Sequence, residues 1–329
     1  VKDVIDTADL PTTQNSAIYP GLRVGRDAAC VAAARGQGGL ILGKTDTVEF
    51  ASSGRKALTR NPYNPAHTPG GSSSGSGAAV GDRMVPLAFG TQTGGSVIRP
   101  AAFNGIYALK PSWNRVSREG ARMSSPTLDT IGWYGRSVAD LALMAKALHL
   151  PDPLAAPAPD SLRVGVCRSP VWNKIEPAGA AALELAADRL SRAGVTVREL
   201  QLPAEFDSLP EGQTVISARE GGVSFLPEYV NAPGLLADDL KAKVENRERI
   251  SDADLLAAYR AADTGRVLFD GLFGADLDVV LTPSAPGEAP RGLHTTGNAV
   301  FNRMWTLLHV PCLAVPVGRG PLGLPDRKS

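Results

Sequence analysis

Two clusters of glycine and serine lie close together in the first third of the chain, and they constrain its fold more than any other feature. Residues 70–77 read GGSSSGSG, and a second cluster, TGGS, ends at Ser96. Apolar segments typical of buried strands, at 85–90 and 106–111, lie between and after them. A flexible linker would have polar, low-complexity neighbours instead. The clusters therefore predict an ordered loop whose backbone approaches a ligand closely, as glycine permits.

Two short motifs near these clusters match well-known sites but lack the structural context those sites need. Residues 38–45, GGLILGKT, match a phosphate loop, yet their Leu-Ile-Leu run predicts a short buried strand over 38–43 that Lys44 ends. Residues 71–75, GSSSG, match a nucleophile elbow, which requires a hydrophobic strand immediately before it. Here NPAHTPG precedes the motif, and His309 interrupts an apolar run in the manner of a buried structural histidine.

The order of apolar and helical segments predicts an α/β fold. Helices are predicted at 27–35 with Asp27 as N-cap, at 76–84, at 137–150 with Ser137 as N-cap, at 177–194 and over much of 208–273. Strands are predicted at 85–90, 106–111, 162–168, 195–200 and 275–286, and 301–318 reads as a helix running into a final strand. The strand–helix–strand run over 162–200 indicates a parallel or mixed sheet with helices on its faces. The Pro/Ala-rich segment 151–160 is the best candidate for an internal boundary.

Composition excludes several classes of function. The 34 Lys and Arg residues nearly balance 33 Asp and Glu residues, for a formal net charge of +1. This balance gives no electrostatic case for binding nucleic acid or an anionic membrane, and no apolar run is long enough to span a bilayer. Cys30, Cys167 and Cys312 are isolated, so the sequence predicts neither a disulfide framework nor a zinc site, and it predicts a cytoplasmic protein. No cofactor or metal is predicted.

The serine-rich segments resemble the signature region of the amidase signature family of serine hydrolases. The resemblance is carried by GGSSSGSGAAVG and GTQTGGSVIRPAAFNGIYALKPS, and weaker blocks extend it over nearly the whole chain. It implies one domain over 1–329, with a mixed central β-sheet covered by helices on both faces. Residues 151–275 match least well and are expected to form a more variable, largely helical portion. Gln92, where many members have Asp, makes the malonamidase-type members of the family the nearest in appearance.

The resemblance implies a serine–serine–lysine triad that hydrolyses amides through an acyl-enzyme. Ser96 matches the nucleophile, Ser72, 24 positions earlier, matches the bridging serine, and Lys2 in VKD matches the base. A buried, neutral lysine could take the Ser96 proton through Ser72. The resemblance also implies a cis peptide bond between Gly71 and Ser72.

Further roles follow from the same resemblance. The backbone N–H groups of Thr93, Gly94, Gly95 and Ser96 are expected to form the oxyanion hole. Arg99 either pairs with an acid in its loop or binds a substrate carboxylate with its guanidinium fork. Gly71, Ser73, Thr91 and Gln92 are predicted to lie around the substrate, with Ser73 either supporting the loop or contacting the reacting groups, and Thr91 as a partner of the serines. The substrate is a small amide, and carbamates or esters suit the same chemistry.

The chain also departs from the family pattern. Members carry further segments before the lysine and after the GLP at 323–325, so the sequence predicts a domain truncated at both ends, with Lys2 poorly held near a terminus. This leaves two hypotheses: an amidase acting on linear amides, and a non-catalytic scaffold or amidotransferase A-subunit-like protein. The sequence does not fix the oligomeric state, and a homodimer is one alternative.

Overall fold

A computed structural model describes residues 1–151 and 157–325. In this part of the chain the helices are α1 (Ala29–Gly36), α2 (Ser74–Gly81), α3 (Ile98–Asn104), α4 (Val138–Ala147), α5 (Pro177–Arg192), α6 (Leu209–Ser224), α7 (Leu226–Asn231), α8 (Asp238–Val244), α9 (Asp252–Asp270) and α10 (Val300–Leu307). The strands are β1 (Ala88–Gln92), β2 (Tyr107–Lys110), β3 (Thr130–Gly135), β4 (Arg163–Val166), β5 (Thr196–Glu199), β6 (Val279–Leu281) and β7 (Cys312–Ala314).

A four-stranded antiparallel sheet, in the order β1-β3-β2-β7, carries the serine-rich loops. All six residues of its central strand β3 are buried. Successive side chains of a strand point to opposite faces. Trp133 accordingly packs with Val31 and residues of α4, whereas Tyr134 packs with Ile98 and Ala101 of α3. Both faces of this sheet are therefore covered.

A three-stranded parallel sheet, in the order β5-β4-β6, follows in the second half of the chain. Helix α5 connects β4 to β5, as a crossover between parallel strands requires. This is the strand–helix–strand unit predicted over 162–200. The predicted α/β fold with parallel and antiparallel strands flanked by helices is confirmed, and hydrogen bonding divides those strands between two sheets.

Helices α6 to α9 form a layer that packs on α10. A capping box at Ser251 and Asp254 begins α9. Leu209 and Ile216 of α6 are fully buried in a cluster with Trp305 of α10. This packing brings the polar face of α6 next to the second glycine–serine cluster. Residues 152–156 of the segment predicted as a boundary lie outside the described residues.

Two local predictions are wrong. Residues 38–43 form no strand, and Leu40 and Leu42 are 95% and 79% exposed. An apolar run becomes a strand only where another strand offers a partner. Among the described residues, 38–43 pair with no strand, and the isolated bridge between Lys2 and Thr45 lies just after them. Asp27 does not cap α1, because its carboxylate accepts the Ala8 N–H and pairs with Arg35. The cap of α4 by Ser137 is confirmed, with Asp140 N–H as donor at 3.1 Å.

Within residues 1–151 and 157–325, no helix combines the length and apolar character needed to cross a membrane.

Candidate active site

Lys2 is fully buried, and hydrogen bonds fix both its side chain and the backbone around it. Its Nζ donates to Ser72 Oγ at 2.8 Å and to Thr91 Oγ1 at 2.7 Å. Thr45 N donates to Val1 O at 2.8 Å and Asp3 N donates to Thr45 O at 3.0 Å, which forms the parallel bridge around Lys2. The predicted looseness of this terminus is therefore corrected, because the backbone on both sides of Lys2 is hydrogen-bonded.

The surroundings of Lys2 favour its neutral form. Burial lowers the pKa of the Lys2 ammonium well below its ordinary value, and the charge of Arg99 lowers it further. The carboxylate of Asp129 acts in the opposite direction. A neutral amine has a lone pair that can accept the Ser72 proton, which is what a general base in this position requires.

Ser72 lies in a tight turn next to Lys2. The peptide bond between Gly71 and Ser72 is cis, as the resemblance implies. A Cβ at Gly71 would lie 2.6 Å from Thr296 Cγ2 and 2.9 Å from Ser74 Oγ, so only glycine fits here without displacing its neighbours. The Ser72 carbonyl accepts from Thr47 Oγ1 at 3.0 Å, which anchors the turn.

All four carbonyl oxygens of the turn Thr93–Ser96 accept hydrogen bonds from the surrounding protein. The four acceptor contacts are Gln213 Nε2 to Thr93 O at 2.9 Å, Thr306 Oγ1 to Gly94 O at 2.7 Å, Arg99 N to Gly95 O at 2.9 Å and the Tyr134 hydroxyl to Ser96 O at 3.2 Å. None of the four N–H groups donates a hydrogen bond to any residue within 1–151 and 157–325. A fixed turn with free N–H groups is the arrangement that binds an oxyanion.

A polar cavity of about 440 Å³ opens beside this turn. Its lining includes Thr93–Ser96, Arg99, Gln213 of α6, Lys243 of α8 and Arg303 of α10. Ser96 is 9% exposed, and its hydroxyl makes no hydrogen bond with any residue that the structure describes. The structure thus brings Ser96, the turn and Arg99 to one cavity, and it joins Lys2 to Ser72 by a direct hydrogen bond.

A larger groove of about 750 Å³ lies between β6 and β7. It is lined mainly by apolar side chains, including Leu313 and Val315, and Ser96 is not among them. The smaller cavity is lined by Ser96 and the turn with free N–H groups, and it is the candidate active site. No group of three or more His, Cys, Asp or Glu side chains placed to hold a metal ion occurs among the described residues.

Comparison with known proteins agrees with this geometry. The model of the family described as Amidase matches residues 1–322. The chain belongs to the amidase signature family.

Several members of this family resemble the chain closely. The chloroplastic/mitochondrial glutamyl-tRNA(Gln) amidotransferase A-subunit of Vitis vinifera is 32% identical, over 99% of this chain and 70% of its own length. The glutamyl-tRNA(Gln) amidotransferase A-subunit of Thermus thermophilus is 41% identical over 64% of this chain and 48% of its own length. A crystal structure of an amidase superimposes with a TM-score of 0.87 at 26% identity, covering 98% of this chain and 77% of that one. The chain therefore spans between about half and about seven tenths of the length of these two curated relatives.

Arg99 in this member of the family lies without an acidic partner. It is 4% exposed, and its Nη2 donates to Gly71 O and, at 3.2 Å, to Thr296 Oγ1. Its Nε has no hydrogen-bond partner, and no carboxylate of the described residues lies within ion-pair distance. The alternative in which Arg99 pairs with an acid in its own loop is thereby corrected.

Gln92 has a different position from the predicted one. It is fully buried, and its Oε1 accepts from Val97 N at 2.8 Å and Ile98 N at 3.0 Å. Its Nε2 donates to Thr306 Oγ1 at 3.0 Å. With these groups satisfied inside the protein, Gln92 holds the start of α3 against the turn, and the predicted substrate contact is corrected.

Ser73 and Thr91 hold the first glycine–serine cluster against β1. The Ser73 hydroxyl donates to Thr91 O at 3.2 Å and accepts from Thr91 N at 3.3 Å, and Ser73 is fully buried. Thr91 Oγ1 accepts from Lys2. Both side chains therefore support the lysine and the loop, as the loop-supporting alternative for Ser73 and the expected partnership of Thr91 with the serines predict; a contact of either with substrate stays a prediction.

Asp129 belongs to the site but was not predicted. Its carboxylate accepts hydrogen bonds from the Thr93 hydroxyl, from Ser124 N at 2.6 Å and from Ser125 N at 3.0 Å. Burial raises the pKa of this carboxyl, and its hydrogen bonds with Ser125, Thr93 and Ser124 lower it. An isolated acid directly before the apolar segment TIGWYG is the signal that could have identified it.

Proposed function

We propose that this chain is an amidase that cleaves the C–N bond of small, linear amides through an acyl-enzyme on Ser96. The observation that carries this proposal is the hydrogen bond between buried Lys2 and Ser72, because it gives an otherwise unreactive serine pair a neutral base. The turn Thr93–Ser96, whose carbonyl oxygens are hydrogen-bonded and whose N–H groups are free, supports the proposal independently.

Each proton and bond in the proposed cycle is accounted for. Ser72 passes its proton to Lys2 and takes the Ser96 proton as the Ser96 oxygen bonds to the amide carbon. The negative charge that develops on the carbonyl oxygen is stabilised by the free N–H groups of the turn. As the C–N bond breaks, the proton returns from Lys2 through Ser72 to the leaving amine. A water molecule then attacks the acyl carbon and gives a proton through Ser72 to Lys2. The ester bond to Ser96 breaks, Ser96 regains a proton by the same path, and the acid leaves.

The turn contributes because its N–H groups are fixed before the charge develops. Loss of one such donor costs about 3–4 kcal/mol of transition-state stabilisation in a well-studied serine protease. Carbamates and esters develop charge on the same oxygen and are proposed as further substrates. The guanidinium of Arg99 is buried and forms no ion pair with a carboxylate of the described residues, which supports a substrate that bears a carboxylate.

A fluorophosphonate probe tests this proposal without knowledge of the substrate. We expect a stoichiometric adduct on Ser96 by peptide mass mapping, lost in Ser96→Ala and in Lys2→Ala. The exposed pair Ser161→Ala and Lys174→Ala, which lie far from the site in sequence, serves as matched controls and should label fully. Absence of an adduct in the folded chain would contradict the proposal.

A second candidate function is that of an amidotransferase A-subunit, which the curated relatives from Vitis vinifera and Thermus thermophilus favour. The same triad would then release ammonia for transfer to an acceptor on an assembly with further chains. Ammonia release from small acid amides and from glutamine, measured with this chain alone, separates the two functions. Turnover of small acid amides without a partner supports the amidase, and turnover that requires an added partner supports the amidotransferase. The unpaired cysteines Cys30, Cys167 and Cys312 are consistent with a cytoplasmic location for either.

A further inference from the structure

The polar cavity contains a second arginine, Arg303, that neither the sequence nor the triad chemistry assigns. It lies on α10, four residues after Ala299, and residues four apart share a face of a helix. A Cβ at Gly95 would lie 3.2 Å from Ala299 Cβ, so this face of α10 is turned towards the oxyanion turn. Arg303 therefore extends from the wall of the cavity that adjoins Ser96.

The Arg303 guanidinium is fixed but not neutralised. Its Nη1 donates to Thr214 Oγ1 at 3.0 Å, and Thr214 follows Gln213, which holds the turn. No carboxylate within residues 1–151 and 157–325 forms an ion pair with Arg303 or with Arg99. The two arginines are close enough for the charge of Arg303 to act, after burial, in lowering the pKa of Arg99 to about 10.

The remaining charges of the cavity do not cancel this pair. Asp239 and Glu248 also line the cavity, but both act on Lys243, the third cation, which donates to Ser52 Oγ at 2.8 Å. Asp239 also accepts the Gly54 N–H at 2.8 Å. Two acids and three cations leave a formal excess of one positive charge, and it lies with the arginines. Two unpaired guanidinium groups in one small cavity repel each other, and an anion between them would remove that cost.

From this arrangement we infer that Arg303 and Arg99 together bind a carboxylate on the acyl part of the substrate, so that Arg303 determines specificity for acid amides over neutral ones. This inference rests on the proposed amidase function and deepens it. Arg99, buried with an orphaned Nε, forms the inner contact, and Arg303, partly exposed at the cavity wall, forms the outer one. The cavity of about 440 Å³ has room for a small acid amide, and succinamate serves as the probe.

Anion binding tests the inference separately from catalysis. We would titrate the Ser96→Ala chain with succinate and with neutral succinamide by calorimetry, alone and combined with Arg303→Gln, Arg303→Lys or the exposed control Arg260→Gln. Loss of a charge-assisted contact of this kind weakens binding by about 10- to 100-fold. We expect that loss for succinate in Arg303→Gln, partial recovery in Arg303→Lys, and no change in Arg260→Gln or in succinamide binding. Succinate binding that is absent, or that is unchanged in Arg303→Gln, would overturn the inference.

Turnover gives the second readout, with the active chain. For succinamate the KM should rise by a similar factor in Arg303→Gln, and for butyramide the KM should change several-fold less. An equal effect on both amides would show that Arg303 only supports the fold. The proposed function is judged by fluorophosphonate labelling of Ser96 in the natural chain, before position 303 is changed. Failed labelling therefore refutes the amidase, and intact labelling with unselective kinetics refutes the role of Arg303.

Discussion

Replacing Lys2 by methionine tests whether the buried Lys2 is neutral in the folded protein. Methionine has nearly the same length as lysine and cannot bind a proton. The Lys2 side chain is fully buried, and its folded pKa lies well below the 10.5 of an exposed lysine. The unfolded chain therefore binds a proton that the folded chain does not, at every pH between those two values.

The sign and size of the effect follow from proton linkage. Where the unfolded state binds one more proton, the free energy of unfolding rises with pH, by about 1.4 kcal/mol for each pH unit. This contribution is complete above 10.5 and is lost as the pH falls towards the folded pKa. The Lys2→Met variant lacks it. Between pH 8 and pH 10 the free energy of unfolding of the natural chain should therefore rise relative to that of the variant, by up to about 3 kcal/mol.

Urea unfolding at constant ionic strength measures this difference. The natural chain, Lys2→Met and the exposed control Lys174→Met are compared at pH 8, 9 and 10. The stability of the control should change with pH in parallel with that of the natural chain, because Lys174 is exposed to solvent in the folded chain as it is in the unfolded one. If Lys2→Met also runs parallel, Lys2 is protonated in the folded protein throughout this range, and its assignment as a neutral base is refuted.

Two further predictions concern residues that hold the site. Gln92→Met should lower the free energy of unfolding, measured in urea, by about 3 kcal/mol, because three hydrogen bonds of roughly 1 kcal/mol each are lost. It should also slow fluorophosphonate labelling of Ser96. Gln92→Glu keeps the acceptor for the start of α3 and should lose less stability, and equal losses in the two variants would contradict the capping role. His309 has its pKa lowered from 6.5 to about 4 by burial and by the charge of Arg266, so the unfolded state binds the extra proton between those values. Stability should fall as the pH drops through this window, and His309→Gln should flatten that part of the curve in the same urea assay.

Much of the fold was predictable because local composition and tertiary packing agree. The unit β4–α5–β5 has apolar strands, an amphipathic helix and a short return, and each part indicates the same topology. The segment 38–43 fails for the opposite reason. Its side chains favour a strand, but a strand also needs a partner, and partners are not written in the local sequence. Strand β3 and helix α3 were missed because glycine within TIGWYG and proline within IRPAAFN weaken the local signal.

Some residues of the candidate site can be predicted from motifs, and others only from tertiary contacts. Ser96, Ser72 and Lys2 were found because the resemblance extends to each position. Asp129 and Arg303 were not, since their roles depend on contacts across 36 residues to Thr93 and across 89 residues to Thr214. Gln92 was misjudged because a polar side chain beside a nucleophile suggests a ligand contact equally well as a helix cap. Burial and saturated hydrogen bonds decide between these two, and neither can be read from the sequence.

Reaction and selectivity are assigned to different parts of this cavity, and that division explains how one scaffold can serve several substrates. In the proposed mechanism, the turn acts on the carbonyl oxygen and the Lys2–Ser72 pair acts on the proton, and these steps are the same for amides, carbamates and esters. Arg303 lies on α10, outside the turn, and its side chain donates to Thr214. Arg99 on α3 belongs to both parts, because its backbone N–H holds Gly95 O and its Nη2 donates to the carbonyl of Gly71, next to Ser72. Changing the charge at position 303 should therefore alter which acyl group binds without altering how its carbonyl is attacked. On this proposal, selectivity is determined by the surrounding helices rather than by the glycine–serine clusters.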